Sequence, residues 1–493
     1  MRVILWNFPY KYMEYEKDLQ IKEIMALMPS VEIVKTDKTF IEIEVNEEEV
    51  NQAYELTFSA YYQIGKNTFP TRQGLLEKDD TLKVTKQHTR YSTHGIHEYK
   101  GKFNPQIVHC LMNIFGVTEE SVVLDPFNGS GTTLLECTHA NVRAYGTDIN
   151  PMACFIANTK VNALSINVHY AKEALRRIIN ASNVPIEITS NDKRIEYLMS
   201  WIPVETLRIL ETIRFIIKDC DKATRDLILL VASDLIRDYS LQEPSDLRIR
   251  RRISPFPEVP FLEVFSENLR KYLRKIEEVQ LLEMSLCCEN KAVLCDIKKV
   301  NPFGELLFDV AITSPPYVTA LPYIDTQRIS LVWLGLCEPT DIRKLETTLI
   351  GSREIIRTEK EKWISNLSDN AYLLPSSIYD MISDMNSSLS DQDGFRKKAV
   401  PALTYRYFAE MKNMFTNVHK LIKSGGKYAL IVGHNRTTLG GKEFNIDTPK
   451  LLGDLAVSCG WKLEDIILLQ TYKRYGINSK NSINRESLII LER

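Results

Sequence analysis

The chain has 493 residues with 62 Lys and Arg against 64 Asp and Glu, a formal net charge of −2, and it is 44% hydrophobic and 26% charged. This length holds roughly two to four domains, and the composition excludes a wholly disordered chain, a collagen-like chain and a disulfide scaffold. The near-neutral charge excludes adhesion to nucleic acid or anionic membrane by overall charge, so any such binding needs a local patch.

The cysteines and the N-terminus predict a reduced, cytoplasmic protein without a membrane anchor. The cysteine count is odd, the spacing is irregular and no C-x-x-C pair occurs, which disfavours a disulfide framework and a zinc site. The first residues lack the apolar core of a signal peptide, and no apolar run approaches a bilayer span. The nine cysteines are Cys110, Cys137, Cys154, Cys220, Cys287, Cys288, Cys295, Cys337 and Cys459.

Residues 1–70 are predicted to form a small α+β module of order β-α-β-β-α. Its strands are expected near 3–6, 31–34 and 39–45, and helical spacing occurs over 11–27 and 47–61. Seven basic and 12 acidic residues give the module a net charge of −5, which is unsuited to binding phosphates. We therefore expect a packing or partner-contact module.

An alternation of strands and helices begins after residue 116 and predicts an α/β fold with a parallel sheet. The last two apolar runs are joined by polar residues, which indicates a hairpin at the sheet edge. We predict seven strands at 121–125, 143–148, 291–296, 308–314, 427–433, 461–469 and 486–492.

Two stretches interrupt this alternation. Residues 165–290 have apolar positions at helical spacing and are predicted to be a helical insertion. Residues 338–398 are rich in Ser, Asp and Asn around their centre and are predicted to be an irregular excursion. The main domain is then expected to comprise 71–164 and 291–493, with the excursion inside it.

The segment Asp125-Pro-Phe-Asn-Gly-Ser-Gly-Thr-Thr133 follows the first strand of this sheet. Gly129 and Gly131 allow the backbone to approach a ligand closely, and ligands of parallel sheets collect at the carboxyl ends of the strands. No Lys completes a phosphate-binding loop. Carboxylates at the two strand ends, Asp125 and Asp148, favour a ligand with amino and ribose hydroxyl groups over a polyphosphate.

A second motif, Thr313-Ser-Pro-Pro-Tyr317, ends the strand at 308–314. Two consecutive prolines fix the backbone and remove two N–H donors, which leaves carbonyl acceptors between a hydroxyl group and an aromatic ring. Such a rim can accept hydrogen bonds from an amino group while the ring stacks on a planar base.

Together the two motifs resemble those of the S-adenosylmethionine-dependent DNA amino-methyltransferases, which methylate N4 of cytosine or N6 of adenine, as in restriction-modification systems. The resemblance covers about 94–163 and 291–493. It implies a Rossmann-like seven-stranded methyltransferase sheet, S-adenosylmethionine as cofactor and double-stranded DNA as substrate. A cognate restriction endonuclease is compatible with it as a partner.

The resemblance also implies roles for individual residues. Asp125 matches the position near the methionine amino group, Asp148 the residue that takes the ribose hydroxyls, and Asp296 the position beside the adenine. The implied cofactor-binding residues are Lys102, Phe103, Pro105, Asp125, Pro126, Phe127, Gly129, Ser130, Gly131, Thr132, Asp148 and Asp296. The implied catalytic residues are Ser314, Pro315, Pro316 and Tyr317.

In the family's mechanism the target base is flipped out of the duplex. Tyr317 would stack on it, while the Ser314 hydroxyl and the Pro315 carbonyl hold the amino group for in-line methyl transfer. Ser at the first tetrapeptide position favours N4-cytosine, with N6-adenine as the alternative. Methylation at cytosine C5 is disfavoured because it needs a nucleophilic cysteine after a proline, and this sequence has none.

Other functions stay open at this level. An RNA guanine-N2 methyltransferase is the nearest rival, but the acidic N-terminal module and the Ser at 314 argue against it. A catalytically dead specificity subunit conflicts with the complete motifs, and no nuclease motif is evident in 1–90.

The insertion contains the most basic run of the chain. From Arg248 to Lys275 there are 8 basic and 3 acidic residues, and a near-neutral enzyme of DNA needs such a local surface. The predicted DNA-binding residues are Arg248, Arg250, Arg251 and Arg252. The competing location is 338–398, with Arg353, Arg357, Lys360 and Lys362.

The histidines do not predict a metal site. His94, His97 and His109 lack a matching cysteine or carboxylate cluster in the sequence, and the implied cofactor needs no metal, so no metal is expected. His434 follows the fifth strand, where a satisfied loop histidine is favoured over a base contact.

Overall fold

The computed structural model describes residues 1–78, 86–188, 192–282, 285–287, 289–318, 322–470 and 485–493. No helix among these residues is long and apolar enough to cross a bilayer. The eight cysteines that they include are free thiols, and Cys288 lies outside the described residues.

The N-terminal residues form a five-stranded antiparallel sheet of order β2-β3-β1-β4-β5. Its elements are β1 (Arg2–Asn7), α1 (Glu14–Leu27), β2 (Glu32–Thr36), β3 (Phe40–Glu44), a 3-10 helix (Glu47–Glu55), β4 (Ser59–Ile64), β5 (Asn67–Pro70) and α2 (Arg72–Leu76). The helix predicted over 47–61 is therefore wrong beyond residue 55. Residues 59–64 pair along the central strand β1 instead, because long-range pairing outweighs local helical spacing.

The main sheet has seven strands in the order β13-β14-β10-β9-β6-β7-β8. The strands are β6 (Val122–Asp125), β7 (Arg143–Asp148), β8 (Lys291–Leu294), β9 (Phe308–Thr313), β10 (Ile422–Gly433), β13 (Lys462–Gln470) and β14 (Arg485–Glu492), with a separate hairpin of β11 (Asn435–Leu439) and β12 (Lys442–Ile446). Strands β10 to β8 are parallel and β14 is antiparallel to both neighbours. This confirms the predicted seven-stranded α/β fold.

The central strand β6 lies between β7 and β9, so the strand order reverses there. Such a switch point is where ligands of open α/β sheets bind. The β13–β14 pair forms the expected edge hairpin, and its connecting residues 471–484 lie outside the described residues.

Helices cover the sheet and extend the core beyond it. They are α3 (Pro105–Ile114), α4 (Thr132–His139), α5 (Pro151–Ala163), α6 (Val168–Ala181), α7 (Lys193–Trp201), α8 (Val204–Ile216), α9 (Lys222–Ile236) and α10 (Phe261–Gln280). Helices α6 to α10 share one hydrophobic core with α5, which includes Met152, Leu227 and Phe265. The helices of 168–280 therefore pack directly on the sheet domain.

The prediction of an irregular segment at 338–398 is wrong. The chain continues through α11 (Tyr323–Trp333), α12 (Ile342–Thr348), α13 (Arg357–Ser368), α14 (Ser376–Ser387), α15 (Phe395–Lys398), α16 (Val400–Leu421) and, later, α17 (Thr448–Ser458). The Ser-rich α14 is stabilised by burial of Ile378, Ile382 and Met385 in the core around α16. Tertiary packing of one apolar face outweighs weak helix propensity.

Candidate active site

The ends of β6, β7, β8 and β9 meet at one cleft, which encloses about 790 Å³ of space that is partly open to solvent. This size is typical of small-molecule sites. The predicted residues that line the cleft are Lys102, Phe103, Pro126, Phe127, Gly129, Ser130, Thr132, Asp148, Asp296, Ser314 and Pro316. Pro105, Asp125, Gly131, Pro315 and Tyr317 are not among the lining residues.

Asp125 lies fully buried at the end of β6, behind the cleft wall. Its Oδ1 accepts hydrogen bonds from Thr313 Oγ1 at 2.5 Å and from the Phe127 amide at 3.1 Å. Its buried Oδ2 makes no hydrogen bond to any described residue. Burial raises the pKa of Asp125 to about 7, against the hydrogen bonds that lower it. Asp125 therefore fixes the loop through its Oδ1 atom.

The two glycines of this loop have positive φ angles, +49° at Gly129 and +79° at Gly131. A Cβ atom on Gly131 would lie 2.6 Å from the Cβ of Ala157 on α5, and one on Gly129 would lie 3.3 Å from the Tyr99 ring. Both positions therefore require glycine. The close approach places the start of α4 directly against α5.

Asp148, at the end of β7, ties the loop to the neighbouring strand. Its Oδ2 accepts from the Gly129 amide at 2.9 Å and its Oδ1 from the Asn150 amide at 2.8 Å. Burial raises the pKa of Asp148 to about 6. Each oxygen retains a second lone pair, so the cleft-lining carboxylate can still accept hydrogen bonds from hydroxyl groups.

Asp296, just beyond β8, lines the same cleft and lies beside two lysines. Its oxygens lie 3.1 Å from Lys299 Nζ and 3.9 Å from Lys298 Nζ. Lys298 also lines the cleft, together with Ile297. This end of the cleft therefore combines an apolar wall with charged groups.

Several lining residues were not predicted from the sequence. Tyr99 and Tyr323 stack with ring centroids 5.9 Å apart at 20°, and Leu349 and Ile350 complete an apolar wall. Tyr99 lies inside the range 94–163 that the resemblance covers, whereas Leu349 and Ile350 come from the segment expected to be irregular. No local sequence signal marks these last two, because their position depends on the packing of α12.

The segment 314–317 is held by strands β10 and β14. Ser314 Oγ donates to the Ile431 carbonyl of β10 at 2.9 Å. Tyr317 Oη donates to Glu486 Oε1 of β14 at 3.0 Å. The hydroxyl group and the aromatic ring are therefore both held by long-range contacts.

Comparison with known proteins identifies the family. An N6/N4 methyltransferase family model, described as DNA methylase, matches residues 4–159. The type II methyltransferase M.MvaI of Kocuria varians is 22% identical over 430 residues, 81% of this chain and 85% of that protein. M.BsoBI of Geobacillus stearothermophilus is 22% identical over 450 residues, covering 82% and 80%. These matches support a DNA amino-methyltransferase. A structural search aligns the methyltransferase with TrmN from Thermus thermophilus at 11% identity and a TM-score of 0.34, over 100% and 99% of the chains.

Two of the four predicted DNA-binding arginines make internal contacts in the methyltransferase. Arg251 donates to the Ser200 carbonyl at 2.5 Å and lies 4.2 Å from the Trp201 ring centroid. Arg252 donates to backbone carbonyls of four residues, Asp238, Ser240, Ser254 and Pro255. These contacts hold the chain after α9, a structural role that sequence reasoning missed.

The other two arginines are differently placed. The Arg250 side chain is 72% exposed and pairs with Asp246 at 2.9 Å. Arg248 lines a second cleft with Arg353 and Tyr323, and Tyr323 also lines the larger cleft. The structure thus brings together one arginine from each of the two regions that compete for DNA recognition.

The histidines do have a carboxylate partner, contrary to the expectation from the sequence. Ligand atoms of His94, Glu136 and His139 all lie within 4.8 Å of one another in the buried core of the methyltransferase. The sequence does not indicate this contact, because Glu136 is 42 residues from His94. The expectation of no metal stays a prediction.

Proposed function

We propose that this methyltransferase transfers a methyl group from S-adenosylmethionine to the N4 amino group of cytosine at specific sites in duplex DNA. One observation carries the proposal: Ser314 and Pro316 line the same cleft as Phe127, Asp148 and Asp296. Cofactor and target amino group would therefore meet in one enclosed space. The modification role of a restriction-modification system, a cognate endonuclease and a cytoplasmic location belong to the same proposal.

The chemistry of the cleft fits S-adenosylmethionine. Asp148 offers acceptors for ribose hydroxyls, and the Tyr99–Tyr323 pair and Ile350 offer flat and apolar surfaces for a purine ring. Asp125, buried behind the cleft wall, would act on the cofactor by fixing the loop that lines the cleft. When bound, this cofactor supplies an electrophilic methyl group on a sulfonium centre.

Ser314 is oriented to receive an amino group. Because its hydroxyl hydrogen points to the Ile431 carbonyl, the lone pairs of Oγ remain available to accept a hydrogen from the target base. Pro315 and Pro316 present no N–H that would compete for the amino nitrogen. Tyr317, held by Glu486, would stack on a base flipped from the duplex. Catalysis then comes from positioning and preorganised electrostatics.

The choice of cytosine rests on Ser314, since Ser at this position accompanies N4-cytosine in the family that the motifs resemble. N6-adenine is the alternative. The acidic N-terminal module, with a net charge of −5, argues against an RNA-binding unit at 1–70, because it offers no surface for a phosphate backbone.

We assign the DNA contacts of 165–290 to Arg248 and Arg250. Arg250 is exposed, and Arg248 lines a cleft that shares Tyr323 with the proposed cofactor site. Arg251 and Arg252 support this surface through the backbone carbonyls that they bind.

Product analysis tests the proposal. The protein is incubated with S-adenosylmethionine and duplex DNA, the DNA is digested, and the nucleosides are identified by mass spectrometry. We expect N4-methylcytosine, and a loss of more than about a hundredfold in rate for Ser314→Ala if positioning dominates. N6-methyladenine alone would overturn the cytosine assignment. Methylation of RNA but not DNA would overturn the substrate.

A further inference from the structure

Residues 88–103, here called the cofactor strap, lie entirely in the described part of the chain and form no helix or strand. The strap nevertheless contributes Tyr99, Gly101, Lys102 and Phe103 to the cleft. Its Tyr91 is almost fully buried. Since no ladder of strand hydrogen bonds fixes its backbone, side-chain contacts must do so.

Glu136 is the centre of these contacts. It lies fully buried on α4, and its Oε1 accepts from Tyr91 Oη at 2.7 Å and lies 2.6 Å from His94 Nε2. Its Oε2 lies 3.3 Å from His109 Nδ1 on α3. One carboxylate thus joins two side chains of the strap to the helix layer beneath.

The charge on Glu136 strengthens this attachment. Burial alone would raise its pKa, but hydrogen bonds from His109, His139 and His94 outweigh burial and hold the pKa well below its usual range. Hydrogen bonds to an ionised acceptor are about twice as strong as neutral ones. Removing the charge should therefore loosen the strap.

Lys102 connects the anchored part of the strap to the cleft, and His139 adds a further contact between the strap and α4. Lys102, which lines the cleft, donates from Nζ to the carbonyls of Thr89 at 3.1 Å and His94 at 3.3 Å. His139, one turn after Glu136, places Nε2 3.0 Å from Ser92 Oγ. A displacement at His94 would therefore reach Lys102.

Helix α4 begins at Thr132, directly after residues 125–131, here called the cofactor loop. The loop therefore leads into the same helix that binds the strap. We propose that Glu136 is a positioning residue that holds the strap against the cleft through Tyr91 and His94 and so sets the affinity for S-adenosylmethionine. This inference rests on the proposed cofactor. Tyr272 of α10 holds the strap independently, by donating to the Gly95 carbonyl at 2.7 Å, so loss of Glu136 should weaken cofactor binding rather than abolish it.

The test measures S-adenosylmethionine affinity by calorimetry, DNA affinity by fluorescence anisotropy and thermal stability for Glu136→Gln in the full-length protein. The amide has one acceptor oxygen where the carboxylate has two, so partners of the second oxygen are left unsatisfied. We expect the Kd for the cofactor to rise about tenfold, with DNA affinity within about twofold of wild type. Tyr91→Phe removes one hydroxyl and should raise the Kd for the cofactor by about threefold. If Glu136→Gln does not fold, this second variant still tests the inference.

Glu23→Gln is the matched control. Glu23 is equally buried and accepts hydrogen bonds from Thr57 and Asn113, none of which belongs to the strap. Glu23→Gln should lower stability and leave cofactor affinity unchanged. Equal cofactor affinity in wild type, Glu136→Gln and Tyr91→Phe would overturn the inference, whereas absence of binding in wild type would overturn the proposed function instead. One equivalent of zinc in the purified wild-type protein, but none in Glu136→Gln, would also overturn the inference. The cluster of His94, Glu136 and His139 would then be a metal site.

Discussion

The hydroxyl group of Thr313 donates a 2.5 Å hydrogen bond to Oδ1 of Asp125, where the parallel strands β9 and β6 end side by side. The oxygen of this hydroxyl group also accepts from the Phe127 amide at 3.2 Å. Thr313 immediately precedes Ser314, so one side chain joins two motifs that lie 188 residues apart. The cofactor loop and the catalytic segment are thereby built as one unit.

This relationship predicts that Thr313→Val weakens cofactor binding. The substitution keeps the shape but leaves Asp125 Oδ1 and the Phe127 amide bonded only to each other, and each hydrogen bond lost with the hydroxyl costs about 0.5–1.5 kcal/mol. We expect the Kd for S-adenosylmethionine to rise about tenfold by calorimetry. Thr313→Ser keeps the hydroxyl and should stay within about twofold of wild type. Equal cofactor affinity in Thr313→Val and Thr313→Ser would show that the hydrogen bond between Thr313 and Asp125 does not contribute to binding.

Cofactor binding should weaken in mild acid because of Asp148. Burial raises its pKa to about 6, from an ordinary value of about 3.9, so the folded protein binds this proton more readily than the unfolded chain. Without ligand, the contribution of Asp148 to stability therefore rises as pH falls through about 6. The ribose hydroxyls favour the ionised form, so the cofactor-induced rise in Tm should shrink over the same range.

Asp148→Asn provides the control for this pH effect. The amide does not titrate, so the part of the pH dependence centred near 6 should disappear, together with much of the cofactor affinity at about pH 7.5. A wild-type Tm increase that is the same at about pH 5 and about pH 7.5, on either side of the Asp148 pKa, would contradict the role of Asp148.

Gly131→Ala should destabilise the protein more than a comparable glycine change elsewhere. The new Cβ would meet Ala157 at 2.6 Å with φ at +79°, combining a left-handed backbone penalty of about 1–2 kcal/mol with overpacking of about 1–3 kcal/mol. Gly116 has φ +67°, and a Cβ added there would have no neighbour within 4 Å, so Gly116→Ala should cost only about 1 kcal/mol. Urea unfolding of both variants measures the difference, and equal costs would contradict the close packing of α4 on α5.

Substitutions of Arg250 and Arg252 should separate DNA binding from stability. Arg250→Ala removes an exposed side chain, so stability should change by less than about 0.5 kcal/mol. The slope of log affinity for DNA against log salt concentration should become shallower by about 0.9 for each phosphate that Arg250 neutralises. Arg252→Ala removes the side chain that donates to four backbone carbonyls. This substitution should lower the free energy of unfolding by about 2 kcal/mol. DNA affinity of Arg250→Ala that equals wild type across salt concentrations would exclude Arg250 from the DNA surface.

The sequence by itself determined the seven-stranded sheet and the strand ends that carry Asp125, Asp148 and Ser314. The strands and their ends follow from local patterns, because a buried strand, a glycine turn and a following helix are each indicated by about ten adjacent residues. The motif resemblance then identified the family, and the structure places most of the implied residues in one cleft.

Only the tertiary structure decided the contacts between residues far apart in the chain. Residues 59–64 form a strand because β1 offers its edge, and α14 is helical because the core accepts Ile378. Arg252 is held in place because its guanidinium group donates to four backbone carbonyls. Glu136 meets His94 for the same reason. Burial and hydrogen-bond satisfaction depend on the whole fold, so a local pattern that records only propensity and spacing cannot predict them.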